Sequence, residues 1–357
     1  MSIEHRSAVT ETAERVRALI STPDLDVRAR RDSCIAGALQ SDLAHESERA
    51  WSVPDDVADD RTERARACVQ RALYELNRLE LYWFDDPGRY VNENSVTLAR
   101  LHEALETPWQ RWLLQRVPSD AVADDDPPEA IRTRAERDAT PSDTADQRFF
   151  AEEIDLGGYR RLLEIASVNG LVEASQLSRA LGGAPSPVQS TLTRIFLEEY
   201  GNGLPKKKHS TFFARMLEDQ GMDATPEAYL DSVPWQVLGA INHAFTLAER
   251  KQLYLRFCGA FTFTEVSTPA SFQGYARAAA RLGLSDGHDD YWALHIREDR
   301  RHGAWMVEQV VQPLCERFPE RRHELLLGYE QQRLVEGLAG AATARECRAA
   351  TRAGAPS

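Results

Sequence analysis

The stretch DDYWALHIREDRRHGAWMVEQVVQ, from Asp289 to Gln312, spaces two histidines and an aspartate as His295-x-x-x-Asp299-x-x-His302. In a helix of about 3.6 residues per turn, opened by Asp289 and Asp290, these three side chains share one face. Tyr291, Trp305, Met306 and Val310 fall on the same face. Arg297, Arg300, Arg301 and Glu308 fall on the other side and mark water, while Glu298 fits neither set. An unpaired carboxylate among apolar groups is costly. Two core histidines salt-bridged to Asp299 would satisfy it. So would a metal ion, because three such ligands within two turns converge on one point.

Other segments also place acids on apolar stripes. Tyr254, Cys258, Phe261 and Glu265 form one stripe at helical spacing. Val188, Leu192, Ile195 and Glu199 form another, with Glu198 projecting toward water beside Thr191 and Arg194. After the break Gly201-Asn202-Gly203-Leu204-Pro205, a further helix presents His209, Phe213 and Met216. A more polar stripe runs Leu162, Ala166, Asn169, Glu173, Leu177. The four carboxylates Glu173, Glu199, Glu265 and Asp299 would balance two divalent cations, with His209, His295 and His302 as neutral ligands. One cation would leave the cluster anionic and push its carboxylate pKa values up. Carboxylate and imidazole ligands without thiolate suit iron or manganese better than structural zinc. Ligand number alone does not choose the metal.

A helical chain must position these groups. The chain has 357 residues, enough for one large domain or two. Its 42% hydrophobic and 28% charged residues fit a folded protein. A net charge of −13 argues against a nucleic-acid partner. No apolar run approaches the length of a membrane span, and MSIEHRSAVTETAERV lacks an apolar signal core, so a cytoplasmic protein is expected. Five scattered cysteines form neither a disulfide framework nor a zinc pair. Segments rich in Ala, Leu, Arg and Glu read as helices at 8–20, 28–50, 60–84 and 92–106. Thr107-Pro108 reads as the start of a new short helix bearing Trp109 and Trp112. Residues 1–118 thus form an N-terminal helical region, and the acidic, Pro-containing 119–146 a linker or surface loop. A second helical block covers 147–338, and the small, polar tail 339–357 is expected to fray.

Three segments, LEEYGNGLPKKKHSTFF, FTFTEVS and HIREDRRHG, resemble the signature of the heme-oxygenase-like diiron oxidases and oxygenases, a group also described as iron-containing redox enzymes. The resemblance spans roughly residues 150–335. It implies an all-α, heme-oxygenase-like helical bundle without heme, with an N-terminal helical extension that completes the fold or builds a homodimer interface. It carries Glu199, His209, Glu265, His295, Asp299 and His302 over as iron ligands. Glu173 resembles an extra carboxylate ligand of N-oxygenating members. The implied cofactors are two Fe2+ ions, with O2 as co-substrate and an external electron donor. The implied activity is oxidation of a small metabolite, foremost N-oxygenation of an amine in natural-product biosynthesis. Desaturation or oxidative C–C cleavage of an amino acid or fatty acid by the same cluster is the alternative.

Three other classes compete. A heme enzyme on this fold needs a single proximal histidine in an apolar cleft, to which the acidic cluster is hostile. A ferritin-like protein needs two Glu-x-x-His motifs, and the nearest match is Asp299-x-x-His302 alone. A non-catalytic scaffold would pair its buried polar groups internally. Cys258, Phe261, Phe213, Trp305 and Met306 read as core packing before cavity lining. Lys206, Lys207 and Lys208 read as a solvated loop before a substrate-attracting patch. His243, in AINHAFTLAER, is either packed or supports a ligand. His5, His45, His102, His288 and His323 receive no role.

Overall fold

Strong helix formers fill the stretches between the Pro, Gly and Asp clusters, and those stretches fold as helices. The structure is a computed structural model. It describes the chain except residues 1–2, 53–57, 83–85, 124–125, 142, 184, 285 and 355–357, and gives no side-chain surroundings for 3–6, 286–290 and 354. No strand occurs among the described residues, so the fold is all-α. No helix among them is long and apolar enough to cross a membrane. The chain divides into two units, 1–116 with 231–246, and 117–230 with 247–357.

In the first unit the Asp60–Leu81 helix is buried on nearly every side, polar residues included. Buried polar groups need partners. Glu75 accepts from Arg17 at 2.7 Å and from Arg71 at 3.0 Å, and Asn77 donates to Asn242 at 2.9 Å. The guanidinium of Arg66 sits 5.9, 5.4 and 5.3 Å from the rings of Trp51, Trp112 and Trp235. One expectation needs correction here. No new helix begins at Thr107-Pro108, because Val96–Arg116 is one helix with Pro108 inside it. Leu101, Leu105, Trp109, Trp112 and Leu113 bury as one continuous stripe, and that burial outweighs the hydrogen bond lost at proline. His243, read from the sequence as packed or as supporting a ligand, is fully buried in this unit.

The second unit contains two segments that composition misjudges. Within 119–146, Pro127–Asp138 is a helix with Ala130, Ile131 and Ala135 buried. Asp126 caps it, and Asp138 at its end accepts from Tyr329 at 2.8 Å and from Arg333 at 2.6 Å. The acidic residues are its wet face, not a sign of a linker. The tail likewise does not fray as a whole. His323–Gly354 is one helix with Ala342, Ala344 and Cys347 buried, and Arg161 pairs with Glu346 at 3.2 Å. Its small residues permit close approach to the Leu156–Gly170 helix, where a Cβ on Gly158 would meet Thr351 and the Cys347 carbonyl. The ends of the expected 60–84 helix and of the tail, and part of the 119–146 stretch, lie outside the described residues.

The centre of this unit is the Tyr254–Arg281 helix, packed against Asp286–Trp305 and His323–Gly354. The contact with His323–Gly354 is backbone on backbone. A Cβ on Gly259 would lie 1.8 Å from the Leu325 carbonyl oxygen, and one on Gly328 2.0 Å from that of Arg256. The Asp286–Trp305 helix passes into a π-turn, Met306–Val311, which buries Met306, Val310 and Val311 together. Cys258, Phe213 and Met306 are core residues, with Phe261 and Trp305 packed against the core at partial exposure, in keeping with a packing role.

Candidate metal centre

The seven acidic and imidazole groups proposed from the sequence arrive on five structural elements of the second unit. Glu199 is the last residue of the Pro187–Glu199 helix, whose Val188, Leu192 and Ile195 bury with it. The chain then reverses through two short 3-10 turns, Gly201–Gly203 and Pro205–Lys207. Gly201 has φ +61°, and a Cβ there would lie 2.4 Å from the Lys207 carbonyl carbon. Only glycine fits a reversal this tight at positive φ. The reversal makes His209 the first residue of the next helix, His209–Asp219, and returns it to Glu199. Glu265 sits mid-way along Tyr254–Arg281, and His295, Asp299 and His302 on Asp286–Trp305. Glu173 is the exception to the helical reading. The Leu156–Gly170 helix ends at Gly170, and Glu173 reaches the site from the turn that follows.

The structure brings all seven side chains together and buries them. Their exposures are 7% for Glu173 and Glu199, 3% for His209, 5% for Glu265, 6% for His295, 4% for Asp299 and zero for His302. Among these seven, two sets of ligand atoms lie within 4.8 Å of one another: Glu173, Glu199, His209 and His295, and Glu199, Asp299 and His302; a third and less buried set joins His302 to Glu198 and Glu298. Glu199 belongs to the first two. Its Oε2 lies 2.9 Å from His209 Nδ1, and its Oε1 lies 3.7 Å from His302 Nδ1. His209 Nδ1 is also 3.2 Å from His295 Nε2, which faces Glu173 Oε2 at 3.6 Å. His302 Nδ1 faces Glu265 at 3.2 Å and Asp299 at 3.5 Å. Glu265 adjoins the second set through that histidine.

Without a cation the site is electrostatically frustrated. Burial pushes the Glu173 carboxyl well above the ordinary range, and the charge of Glu199 adds to the push. Burial likewise raises Glu265, and raises Asp299 with a further contribution from Glu265. Glu199 goes the other way. Burial opposes its ionisation, but the hydrogen bond with His209 and the charges of His209, His295 and His302 together outweigh burial and hold it below the usual value. Burial depresses His295 to about 4. Burial also disfavours charge on His302, yet its bonds to Asp299 and Glu265 lift it to about 11. One carboxylate oxygen, Glu173 Oε1, is buried without a hydrogen-bond donor, and Asp299 Oδ1 has only the long 3.5 Å approach of His302 Nδ1. Hard, anionic oxygens beside imidazole nitrogens, with lone pairs unused, fit divalent iron.

Two neighbours escaped the sequence reading. Tyr291 donates its hydroxyl to Glu173 Oε2 at 2.8 Å, and its backbone carbonyl lies 3.0 Å from His295 Nδ1. The signal was present, since Tyr291 lies one helical turn before His295. Glu198, expected to face water, lies 2.8 Å from His302 Nε2. Glu298, which fitted neither face, pairs with Arg297 and Arg301.

An all-α unit with a buried cluster of carboxylates and imidazoles has the residues to hold a metal ion. Residues 160–336, about half the chain, match the family described as iron-containing redox enzyme, and through them the chain belongs to that family of oxidoreductases. Nitrosourea synthase of Streptomyces achromogenes subsp. streptozoticus is 31% identical over 167 residues, which cover 46% of this chain and 35% of that protein. The chain therefore spans only about a third of that relative's length.

Proposed function

We propose that this protein is a non-heme diiron oxygenase that uses O2 to oxidise the nitrogen of a small amine in natural-product biosynthesis. The observation that carries the proposal is Glu173. It lies in the same buried set as Glu199, His209 and His295, so one half of the cluster is supplied with two carboxylates and two imidazoles. The name of the similar nitrosourea synthase, whose product bears an oxidised nitrogen, supports the same direction.

In this reading Glu173, Glu199, His209 and His295 hold one iron, and Glu199, Glu265, Asp299 and His302 hold the other. Bound ferrous iron would supply the electrons that reduce O2. Inserting one oxygen atom into an amine N–H releases the other as water and consumes two further electrons and two protons. Repeated turnover therefore needs an external electron donor. The chain's own residues do the positioning. Tyr291 holds Glu173 by one oxygen and leaves the other free, and its backbone carbonyl orients His295. Phe213, Tyr291, Trp292 and Phe272 pack around that half and exclude water.

The test is single turnover. Anaerobic protein loaded with Fe(II) is mixed with O2 and a panel of amines, amino acids and fatty acids, and products are read by mass. Addition of oxygen from 18O2 to a nitrogen is the expected result, with Glu173→Ala losing it at least about tenfold. Desaturated or chain-shortened products, with Glu173→Ala fully active, would move the assignment to the alternative chemistry of the same cluster.

A further inference from the structure

We propose that Glu198 is a positioning residue of the metal centre, which fixes the His302 ring so that Nδ1 presents its lone pair to the cluster. This rests on the two-metal reading above and adds a residue to it.

The His302 imidazole is completely buried, and its two nitrogens face different surroundings. Nδ1 looks into the cluster, toward Glu265, Asp299 and Glu199. Nε2 looks the other way and lies 2.8 Å from Glu198 Oε2. A neutral imidazole carries one N–H and one lone pair, and a carboxylate can only accept. With Nε2–H donating to Glu198, the lone pair is on Nδ1, where a metal would use it. A carboxylate behind a ligand histidine also makes the imidazole a stronger donor.

Glu198 is itself held in place. Arg301 Nη2 donates to the same Oε2 at 2.7 Å and also pairs with Glu298. Trp305 packs against the His302 ring at 5.6 Å between centroids, and the Arg194 guanidinium lies over the Trp305 ring at 3.2 Å from its centroid. The column of Arg194, Trp305, His302, Glu198 and Arg301 thus restricts the imidazole in both tilt and rotation. The Glu198 side chain is 21% exposed, so removing it opens no large cavity in the core. Its neighbour Glu199 faces the opposite nitrogen of the same ring, so consecutive glutamates grip His302 from two sides.

The test uses metal-free protein titrated anaerobically with Co2+, followed by its visible d–d absorption. Wild-type protein binds two equivalents. Glu198→Ala weakens one of them about 10- to 100-fold and alters its absorption, while the other keeps its affinity and the metal-free melting temperature stays near wild type. Glu198→Gln, which still accepts from Nε2, recovers most of the loss. Unchanged affinity for both ions in Glu198→Ala would overturn the proposal. So would equal weakening of both sites with a lowered metal-free melting temperature, the sign of a merely structural role. Wild-type protein that holds fewer than two cobalt ions would overturn the two-metal reading, and this proposal with it.

Discussion

Glu199 is the residue on which the site turns, because its two carboxylate oxygens face His209 on one side and His302 on the other. The other acids pay for their burial in protonation. Glu173, Glu265 and Asp299 are all raised by desolvation, and His302 is held protonated up to about 11 by its acidic neighbours. Metals bind the deprotonated forms. His302, raised to about 11, holds its second proton at neutral pH, so metal must displace it. Adding Fe(II) to metal-free protein at pH 7 in weak buffer is therefore expected to release protons, and the apparent affinity is expected to fall as pH falls. A pH-stat titration checks both. No proton release, with affinity flat across the neutral range, would mean that the cluster does not take the metal.

At the scale of elements, what was legible in the sequence followed from helical period. Glu199, Glu265, His295, Asp299 and His302 all sit on helices whose apolar stripe points where counting from the sequence puts it, and the Gly-rich break before His209 is a tight reversal. Glu173 was found on a stripe that stops short of it. Periodicity cannot register that the Leu156–Gly170 helix ends three residues earlier. The Pro127–Asp138 helix was missed because Ala130, Ile131 and Ala135 make a narrow apolar face amid acidic residues. The tail was missed because alanines that allow close helix packing look, by composition, like a frayed end. Glu198 was missed because a helical wheel shows direction and not the neighbour that fills it. Close packing gives an element-scale prediction. Gly259→Ala forces a methyl group onto the Leu325 carbonyl, so the Tyr254–Arg281 and His323–Gly354 helices must separate. A loss of about 1–3 kcal/mol or more in urea unfolding of metal-free protein is expected. Unchanged stability would mean that the two backbones do not touch there.

At the scale of the whole molecule, the family match at 160–336 contains all seven ligand candidates, takes in most of the unit that holds them together with 231–246 of the first unit, and leaves residues 1–116 outside it. All seven ligand candidates lie in the second unit, although they are spread over 130 positions from Glu173 to His302 in sequence terms. Four of the acids behind the net charge of −13 are buried together, and their burial is unfavourable unless cations compensate them. In the proposed reading two ferrous ions would do so. The most direct measurement is the iron content of protein reconstituted anaerobically with Fe(II) and freed of excess metal, for wild type beside Glu199→Ala. The account predicts two irons per chain in wild type and loss of both in the variant, because Glu199 serves both halves. A wild-type ratio of one or less, or a Glu199→Ala variant that retains two, would contradict it.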